Sequence, residues 1–579
     1  MKNTEKTALL TDPLWRKLLC ALLVLASFSL FFLFTYFTKG EDIWYDEIFS
    51  VSYAKKSLSG ILELTSLDVH PPLYYFYLKG ITGLLGVLLP SLPFLCACKI
   101  ASLLPLLLLM ILSLTLIRKH FGLLTASLFC FFLTAMPQLG SYYVEIRMYS
   151  LAMLFVTGAF LSMILILRNF FAGTGPSNTA SRILFLLCGI LSAYTQYFAC
   201  IAVIGIYIVF FTGILAGRTS SGKGGGFRAR FSDPRVRKEL FFLLISAVLS
   251  VLCYLPWLPR LLRQIRGVAA SYWIQPMSLR SIPGTVKYIF TPVLTGGSWD
   301  YIPAGLMIGA TLILILLFLT GLSGGIREKG ARAEDAGSGL FARISALIFA
   351  FTGIFLILFL LAAGYLASFL DHPVFTYRYL IPVLGVFWFG IAFIAGRIFE
   401  GEMERETGKS LSPARLLFPV LLLLTLGIFA FGGRCTVKGF AAEETKKLTE
   451  AEKTLSVLSG IEENAVIITN FDHVAALSDY YLNTFFEKNA LILLYEGTVE
   501  ETAAAMLSRP PGTLKEGELP GKMLLFEKEG RPVYFFGSFA SREDLLSEWT
   551  VSGIRSEELS DLLLERYWFR ICHLAISGE

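Results

Sequence analysis

Charged residues are scarce in this chain. They make up 16% of its 579 residues, against about 25% in an average soluble protein. Hydrophobic residues make up 55%, and the mean hydropathy is +0.65. This composition excludes a protein that is soluble over its whole length, because so much apolar surface cannot be hidden in a water-soluble fold. We therefore predict that the excess apolar surface faces a lipid bilayer.

A strong basic surplus is also missing. The net charge is +6, which is modest for a chain of this length, and the basic residues lie in loops between apolar runs. This distribution argues against nucleic acid as a partner. The basic loops instead indicate the side of the membrane that each loop faces, since cytoplasmic loops are enriched in Lys and Arg.

No internal repeat is visible in the sequence, and the residues in the middle of the apolar runs are mainly apolar. A polytopic transporter or flippase for lipids or glycans is expected to have inverted repeats and ionisable residues near the bilayer centre. A polymerase or ligase is expected to carry its large external loop between late spans. Here the large external pieces are the first loop and the C-terminus, which disfavours a polymerase or ligase. Both classes are kept as alternatives.

Eleven apolar runs are long enough to cross a bilayer, which takes about 17–25 residues. They are residues 18–37, 97–117, 121–140, 146–167, 183–197, 199–216, 239–258, 302–320, 344–369, 380–397 and 416–433. Basic residues before the first run and in three loops, at 118–120, 217–238 and 321–343, are predicted to be cytoplasmic. The odd number of runs then places the C-terminus outside the cytoplasm. The protein is expected in the plasma membrane.

The composition changes near Gly433 to that of a soluble domain. Strands are predicted at 465–469, 490–495, 522–526 and 532–536, and helices at 443–458 and 542–549. The predicted fold is an α-helical polytopic membrane domain over 1–433, with a first external loop at 39–91, followed by a small extracytoplasmic α/β domain over 434–579. Asp472-His473 in that domain is interpreted as a structural or solvated pair in a loop.

Two adjacent carboxylates, Asp46 and Glu47, follow the first membrane run in the sequence Trp44-Tyr45-Asp46-Glu47. Neighbouring residues on a helix point about 100° apart. One of the two side chains can therefore face a cavity while the other braces the fold. An acidic pair that only stabilises the start of a helix is the alternative interpretation.

A second polar element is Asp68-Val69-His70-Pro71-Pro72. Asp is a good helix cap and Pro is favoured in the first helical turn, so this element predicts the mouth of a helix. Asp68 and His70 could lie beside Asp46, and together they could bind a divalent metal ion. A capped helix in the membrane interface is the alternative.

Three further polar elements follow the ends of later membrane runs. They supply Glu145, Arg147 and Tyr149, then Gln196 and Tyr197, and finally Tyr377 and Arg378. Arg147 lies near the membrane edge, where an unpaired buried charge is costly. A snorkelling arginine paired with Glu145 is one interpretation, and an arginine that reaches a phosphate is the other. All these elements are predicted on the outer side, so we expect one external polar cavity that borders the lipid.

The residues quoted so far resemble a known family. Trp44-Tyr45-Asp46-Glu47, the string Asp68-Val69-His70-Pro71-Pro72-Leu73-Tyr74-Tyr75, and Glu145-Ile146-Arg147-Met148-Tyr149 resemble the bacterial GT-C glycosyltransferases, in particular family 39, the protein O-mannosyltransferase-like enzymes, and the aminoarabinose transferases. The resemblance is best over the first ~220 residues. Tyr377-Arg378-Tyr379 extends it weakly. The Trp-Trp-Asp-Tyr-Gly signature of oligosaccharyltransferases is absent.

The resemblance implies a glycosyltransferase that uses a polyprenyl-phosphate-linked sugar donor and a glycan, lipid or protein acceptor outside the cytoplasm, with inversion at the anomeric carbon. Asp46 is then the candidate general base, and Glu47 and Asp68 are the other candidate catalytic carboxylates. The candidate contacts of the donor phosphate are Arg147, Arg378, Tyr149 and Tyr377. The candidates for the acceptor side of the cavity are His70, Glu145, Gln196 and Tyr197. Gln196 departs from the pattern, since many members have His there. No cofactor is implied with certainty, and a divalent metal at Asp68 and His70 stays open.

Overall fold

A computed structural model describes most of the chain. The described residues are 14–172, 179–217, 231–271, 274–292, 301–324, 333–370, 373–406, 413–497, 507, 511–564 and 567–577. They form a helical membrane part followed by a C-terminal part that contains a six-stranded sheet. The fold class predicted from the sequence is confirmed.

The helices of the membrane part are as follows: α1 (Leu14–Phe37), α2 (Tyr45–Lys55), α3 (Leu58–Leu67), α4 (Leu73–Leu88), α5 (Phe94–Phe121), α6 (Leu123–Ala135), α7 (Leu139–Val144), α8 (Tyr149–Ala172), α9 (Thr179–Thr195), α10 (Tyr197–Ala216), α11 (Pro234–Tyr254), α12 (Leu258–Ser271), α13 (Ser281–Phe290), α14 (Tyr301–Gly324), α15 (Ala333–Phe369), a 3-10 turn (Tyr377–Leu380), α16 (Ile381–Glu406) and α17 (Pro413–Ser459).

Every one of the eleven predicted membrane runs coincides with an apolar helix. Among the described residues, eight helices are long and apolar enough to cross a bilayer. A ninth span is α11 together with α12, which are bent by 67° relative to each other. The remaining two runs, predicted at 121–140 and 183–197, correspond to the shorter helices α6 and α9.

The centre of the membrane part is built from α8 and α16, together with the 3-10 turn that precedes α16. All of the 18-residue apolar stretch within Tyr377–Phe399 is buried, and so is 83% of the apolar stretch within α8. A glycine allows a close approach here, because a Cβ atom at Gly353 would lie 2.3 Å from the Cα atom of Phe387. Small residues at such crossings let helix backbones meet in the membrane. Helices α15 and α16 therefore pack closely at this point.

The C-terminal part begins without a break, because α17 continues through the predicted boundary at 433 as far as Ser459. The elements that follow are β1 (Val466–Thr469), α18 (Asp472–Ser478), a π-helical turn (Asp479–Phe485), β2 (Leu491–Tyr495), β3 (Gly512–Leu514), α19 (Leu519–Lys528), β4 (Val533–Gly537), α20 (Ser541–Val551), β5 (Ile554–Leu564) and β6 (Tyr567–Ile576). The strand order is β3-β2-β1-β4-β6-β5. Strands β1 to β4 are parallel to one another. Strand β6 pairs antiparallel with β4, and β5 pairs antiparallel with β6.

Both faces of this sheet are covered. Side chains alternate between the two faces along a strand, and Ile467 belongs to the core that continues into the membrane part, whereas Val466 and Ile468 belong to a separate core on the other face. Two of the predicted helices, at 443–458 and 542–549, and three of the four predicted strands are confirmed. The strand predicted at 522–526 is wrong, since these residues lie in α19.

Candidate active site

The outer site begins where α2 starts. Trp44 is the N-cap of this helix, and Asp46 and Glu47 lie in its first turn. The two carboxylates differ in their surroundings, because Glu47 is 3% exposed whereas the side chain of Asp46 is 21% exposed. A pair of neighbouring helical residues is thus divided between the interior and a cavity.

Glu47 joins two external segments through hydrogen bonds. One carboxylate oxygen, Oε1, accepts a hydrogen bond from the backbone N–H of Ile146 at 2.7 Å, and Oε2 accepts one from the N–H of Trp44 at 3.2 Å. Burial raises the pKa of Glu47 to about 7, and Lys99 opposes this rise. Both oxygens are used by the protein itself, so the geometry suits Glu47 to bracing.

Asp46 lies between two guanidinium groups. Its Oδ2 accepts a hydrogen bond from Nη1 of Arg378 at 2.9 Å and is 3.8 Å from Nη2 of Arg147. Arg147 also donates from Nη1 to the backbone carbonyl of Asp46 at 2.9 Å. The Nε–H groups of Arg147 and Arg378 have no hydrogen-bond partner among the described residues. The site therefore combines one reachable carboxylate with two cations that retain unused donors.

His70 completes this group. Its Nε2 is 2.8 Å from Nη2 of Arg147. A guanidinium only donates hydrogen bonds, so Nε2 accepts and the ring is neutral, with its proton on Nδ1. Burial, Arg147 and Arg378 together hold the pKa of His70 well below its usual value.

Asp68 occupies the end of α3, close to His70 in sequence. Its Oδ1 accepts a hydrogen bond from the N–H of Val69 at 2.6 Å, and the hydroxyl of Tyr75 lies 3.4 Å from Oδ2. Burial raises the pKa of Asp68 to about 6. A divalent metal held by Asp68 and His70 does not fit this arrangement, because a cationic guanidinium already occupies the accepting nitrogen of His70.

Several of the residues predicted for the site line two cavities. An apolar cavity of about 250 Å³ is lined by His70, Gln196, Tyr197 and Tyr379. A more polar cavity of about 640 Å³ is lined by Glu145 and Tyr377. Tyr377 and Tyr379 thus face different cavities, and Arg378 between them contacts Asp46.

The predicted cavity residues make different contacts. Tyr197 accepts a hydrogen bond from the indole N–H of Trp257 at 3.1 Å and donates one to Gln264. Gln196 is 2% exposed, and neither of its amide atoms has a hydrogen-bond partner among the residues that the structure describes. The ring of Tyr149 is fully buried and packs against Tyr142, so it supports the cavity wall.

The C-terminal domain holds the outer segment in place, which sequence reasoning missed. The hydroxyl of Tyr481 donates to the carbonyl of Glu41 at 2.9 Å and accepts from the N–H of Ile43 at 3.1 Å. The ring of His473 stacks on Tyr45 with 3.8 Å between centroids. The signal in the sequence is the pair Asp472-His473, which is interpreted there as a structural or solvated pair in a loop. The pair lies instead in the first turn of α18, and His473 contacts the residue next to Asp46.

A buried ion pair is the second feature that sequence reasoning missed. Lys99 donates to Oδ1 of Asp42 at 2.8 Å, and both side chains are less than a tenth exposed. Lys99 lies inside the run predicted at 97–117, and a lysine in such a run marks a site with a partner. The ion pair fixes the start of the outer segment against α5.

The neutral state of His70 leads to a prediction on stability. As the pH falls through about 6.5, the unfolded chain takes up a proton on His70 that the folded protein does not take up, so the folded state loses stability. The loss is at most about 1.4 kcal/mol per pH unit. In His70→Gln, whose amide oxygen can still accept from Arg147, the melting temperature is expected to fall less between roughly pH 7 and pH 5. Thermal unfolding of both proteins across this range checks it, and equal falls would show that His70 is protonated in the folded state.

Comparisons with known proteins find similarity to solved structures. No family model and no curated protein matches the chain. The chain is similar to the apo form of the Archaeoglobus fulgidus oligosaccharyltransferase, with a TM-score of 0.39 and 12% identity over 73% of this chain and 56% of that chain. It is also similar to the complex of that enzyme with Zn and sulfate, with a TM-score of 0.33 and 12% identity over 81% of this chain and 59% of that chain. The chain thus spans less than two thirds of the length of these enzymes.

Proposed function

We propose that this chain is a membrane glycosyltransferase of the GT-C type that moves a sugar from a polyprenyl-phosphate-linked donor to an acceptor hydroxyl on the extracytoplasmic side, with inversion. The observation that carries the proposal is the carboxylate of Asp46, which is partly exposed and paired with Arg378, whose chain neighbours Tyr379 and Tyr377 line an apolar and a polar cavity. The motifs shared with the GT-C enzymes supply the reaction class.

The apolar cavity suits the donor. It is bordered by residues of α10, α12 and α15, and its walls expose little polar surface. Apolar walls with a few polar groups are typical of sites that hold a large apolar ligand. We assign this cavity to the lipid chain next to the phosphate, and Gln196, with its buried amide, to a polar atom of the donor.

The polar cavity suits the acceptor. It is larger, and Glu145, Lys287 and Lys447 supply charged groups to its wall. A hydroxyl-bearing acceptor needs hydrogen-bonding partners, and the polar cavity offers more charged groups than the apolar cavity does. The acceptor hydroxyl would then reach the anomeric carbon from the side opposite the phosphate, as an inverting displacement requires.

The reaction follows in one displacement. Asp46 takes the proton of the acceptor hydroxyl while the hydroxyl oxygen forms a bond to the anomeric carbon. The bond from that carbon to the phosphate oxygen breaks, and its electron pair stays on the phosphate. Negative charge therefore grows on the leaving phosphate, and the guanidinium charges of Arg378 and Arg147 beside Asp46 can stabilise it. The leaving group needs no proton donor.

Release of polyprenyl phosphate from purified protein tests this function. A panel of polyprenyl-phosphate-linked hexoses and pentoses is supplied in nanodiscs, and the released lipid phosphate is measured by mass spectrometry. We expect turnover with at least one donor. Protein-dependent movement of the intact donor across liposome membranes, without release of lipid phosphate from any member of the panel, would favour a flippase.

The side of the membrane is a separate prediction. Alkaline phosphatase fused after α17 is expected to be active, and the same fusion within 217–238 is expected to be inactive, because the latter loop carries seven basic residues and one acidic residue. A fluorescent protein that matures only in the cytoplasm should give the opposite pattern. A cytoplasmic signal after α17 would place Asp46, and with it the proposed reaction, on the inner face.

A further inference from the structure

A third cavity lies in the C-terminal domain. Its volume is about 370 Å³, and its lining includes Phe471, Ser538, Phe539, Tyr567 and Trp568. We call it the distal pocket. Its volume is within the range of small-molecule sites, about 300–1,000 Å³.

The distal pocket lies at a position of the sheet where ligands commonly bind. Strands β1 and β4 are parallel neighbours, with Thr469 opposite Phe536. The chain leaves β1 towards β2 on one side of it, whereas β4 lies on the other side. The loops after β1 and β4 therefore diverge, and in open α/β sheets such a switch point forms a crevice outside the carboxyl ends of the strands. Phe471 and Ser538 are on these two loops.

The aromatic walls of the distal pocket are held open to solvent. Phe539 is 64% exposed and Trp568 is 59% exposed. Phe539 has a φ of 59°, a left-handed conformation that is unfavourable for a residue with a bulky side chain. Such a conformation is kept where the surrounding structure enforces it, and it is common at ligand sites. Two exposed aromatic faces thus flank a cavity where burial would have been more favourable for folding.

The buried hydroxyl of Ser538 also indicates that the distal pocket binds a ligand. Ser538 is 2% exposed, and its Oγ has no hydrogen-bond partner among the described residues. Its backbone is fixed, because Asn470 donates to the carbonyl of Ser538 and accepts from its N–H, each at 2.8 Å. Arg542 and Glu543 add a donor and an acceptor to the lining. An orphaned buried polar atom calls for a partner that the protein itself does not supply.

We propose that the distal pocket binds a saccharide ring. A pyranose has apolar C–H faces, which pack on aromatic rings, and a rim of hydroxyls, which both donate and accept hydrogen bonds. The distal pocket offers Trp568 and Phe539 for the faces, and Ser538, Arg542 and Glu543 for the rim. The saccharide belongs either to a soluble glycan or to the headgroup of a glycolipid.

The distal pocket is linked to the candidate active site through one histidine. Nδ1 of His473 is 2.8 Å from the hydroxyl of Tyr567, and the same ring stacks on Tyr45, the neighbour of Asp46. A glycan held in the distal pocket would be anchored on the structure that positions the base. The assignment of the bound sugar as part of the acceptor rests on the proposed function, whereas saccharide binding itself does not.

Ligand-observed NMR tests the proposal on the full-length protein. Saturation transfer is measured to maltose, cellobiose, lactose and diacetylchitobiose with the protein in phospholipid nanodiscs, and to a galactosyl diacylglycerol placed in the nanodiscs. We expect binding of at least one probe, weakened about tenfold or more in Trp568→Ala and in Phe539→Ala, as is usual for an aromatic anchor of a binding site. The soluble probes and the glycolipid distinguish the two sources of saccharide.

The matched control is Phe485→Ala, an aromatic residue of the same domain that is 38% exposed and does not line the distal pocket. It should bind every probe like the wild type. No saturation transfer to any probe would overturn the proposal, and so would transfer that Trp568→Ala leaves unchanged. Asp46→Asn separates this proposal from the proposed function, because it should keep saccharide binding even when it abolishes sugar transfer.

Discussion

Replacing Asp46 with Asn is expected to lower the turnover of sugar transfer by about 10²–10⁴-fold, which is the usual contribution of a general base. Asn has nearly the same size and can still accept a hydrogen bond from Arg378, but it cannot take the proton of the acceptor hydroxyl. The loss should therefore appear in kcat, while the melting temperature and the affinity for the donor lipid change little. Release of polyprenyl phosphate by the purified variant measures kcat, and thermal unfolding measures stability.

Glu47→Gln is the control for this experiment, because it changes the neighbouring acid. Its amide has one acceptor oxygen, whereas the carboxylate of Glu47 accepts from Ile146 and from Trp44 with two different oxygens. One buried N–H then faces an amide group that cannot accept, at a cost of about 1–3 kcal/mol in stability. We expect a lower melting temperature together with a kcat above that of Asp46→Asn.

The opposite result would reassign the base. If Asp46→Asn keeps more than about a tenth of the wild-type turnover, a contribution of the size expected for a general base is missing. Asp68 would then become the leading candidate, since burial raises its pKa to about 6 and thus makes it a stronger proton acceptor than an ordinary aspartate. Asp68→Asn in the same assay would decide between them.

The membrane part was predictable because its signal is long. A run of about 20 apolar residues has few alternatives to a membrane helix, and all eleven runs are helical in the structure. The short strands of the C-terminal domain are different. Residues 522–526 form an apolar run of a length that fits either a strand or part of a helix. Pro520 at the start of α19 decides for the helix, since Pro is favoured in a first turn.

Strands β5 and β6 could not be predicted from the same rules. β5 carries Glu557, Glu558 and Asp561 within its eleven residues, and most of it is exposed. It forms one edge of the sheet and, among the described strands, pairs with β6 alone, so its apolar pattern is weak. Its stability as a strand comes from the partner strand and from α17, and neither contact is visible in a local window.

The division of labour between Asp46 and Glu47 illustrates the same limit in the candidate site. The helical geometry shows that one of the two can face a cavity while the other braces the fold. The choice depends on the N–H of Ile146, 99 residues away, and on Arg378, 332 residues away. Such pairings are set by how the helices pack, so the sequence predicts the set of polar residues but not the partner of each.

Arg378→Ala is expected to lower kcat/KM for the donor lipid by about 10²–10³-fold, the usual effect of removing one group that stabilises a developing negative charge. Arg378 is the more reachable of the two guanidinium groups, with 19% of its side chain exposed against 4% for Arg147. Its removal leaves Asp46 without its 2.9 Å partner but does not break a contact between helices of the outer segment. Stability should therefore change less than activity.

Arg378→Lys separates charge from geometry. A lysine keeps the positive charge but has no planar fork with which to hold a phosphate and a carboxylate at once. We expect it to recover part of the activity that Arg378→Ala loses. Recovery to the wild-type level would mean that only the charge matters, and no loss of activity in Arg378→Ala would remove this residue from the reaction.

Arg147→Ala should differ from both. This side chain donates to the backbone carbonyl of Asp46 and to His70, and it is almost fully buried. Its removal leaves the buried Nε2 of His70 without its donor, at a cost of about 1–3 kcal/mol. The melting temperature should then fall together with kcat/KM, and it should fall further than in Arg378→Ala. Measuring both quantities for both variants distinguishes an arginine that mainly binds the phosphate from one that also holds Asp46 in position. Equal melting temperatures for the two variants would contradict the positioning role of Arg147.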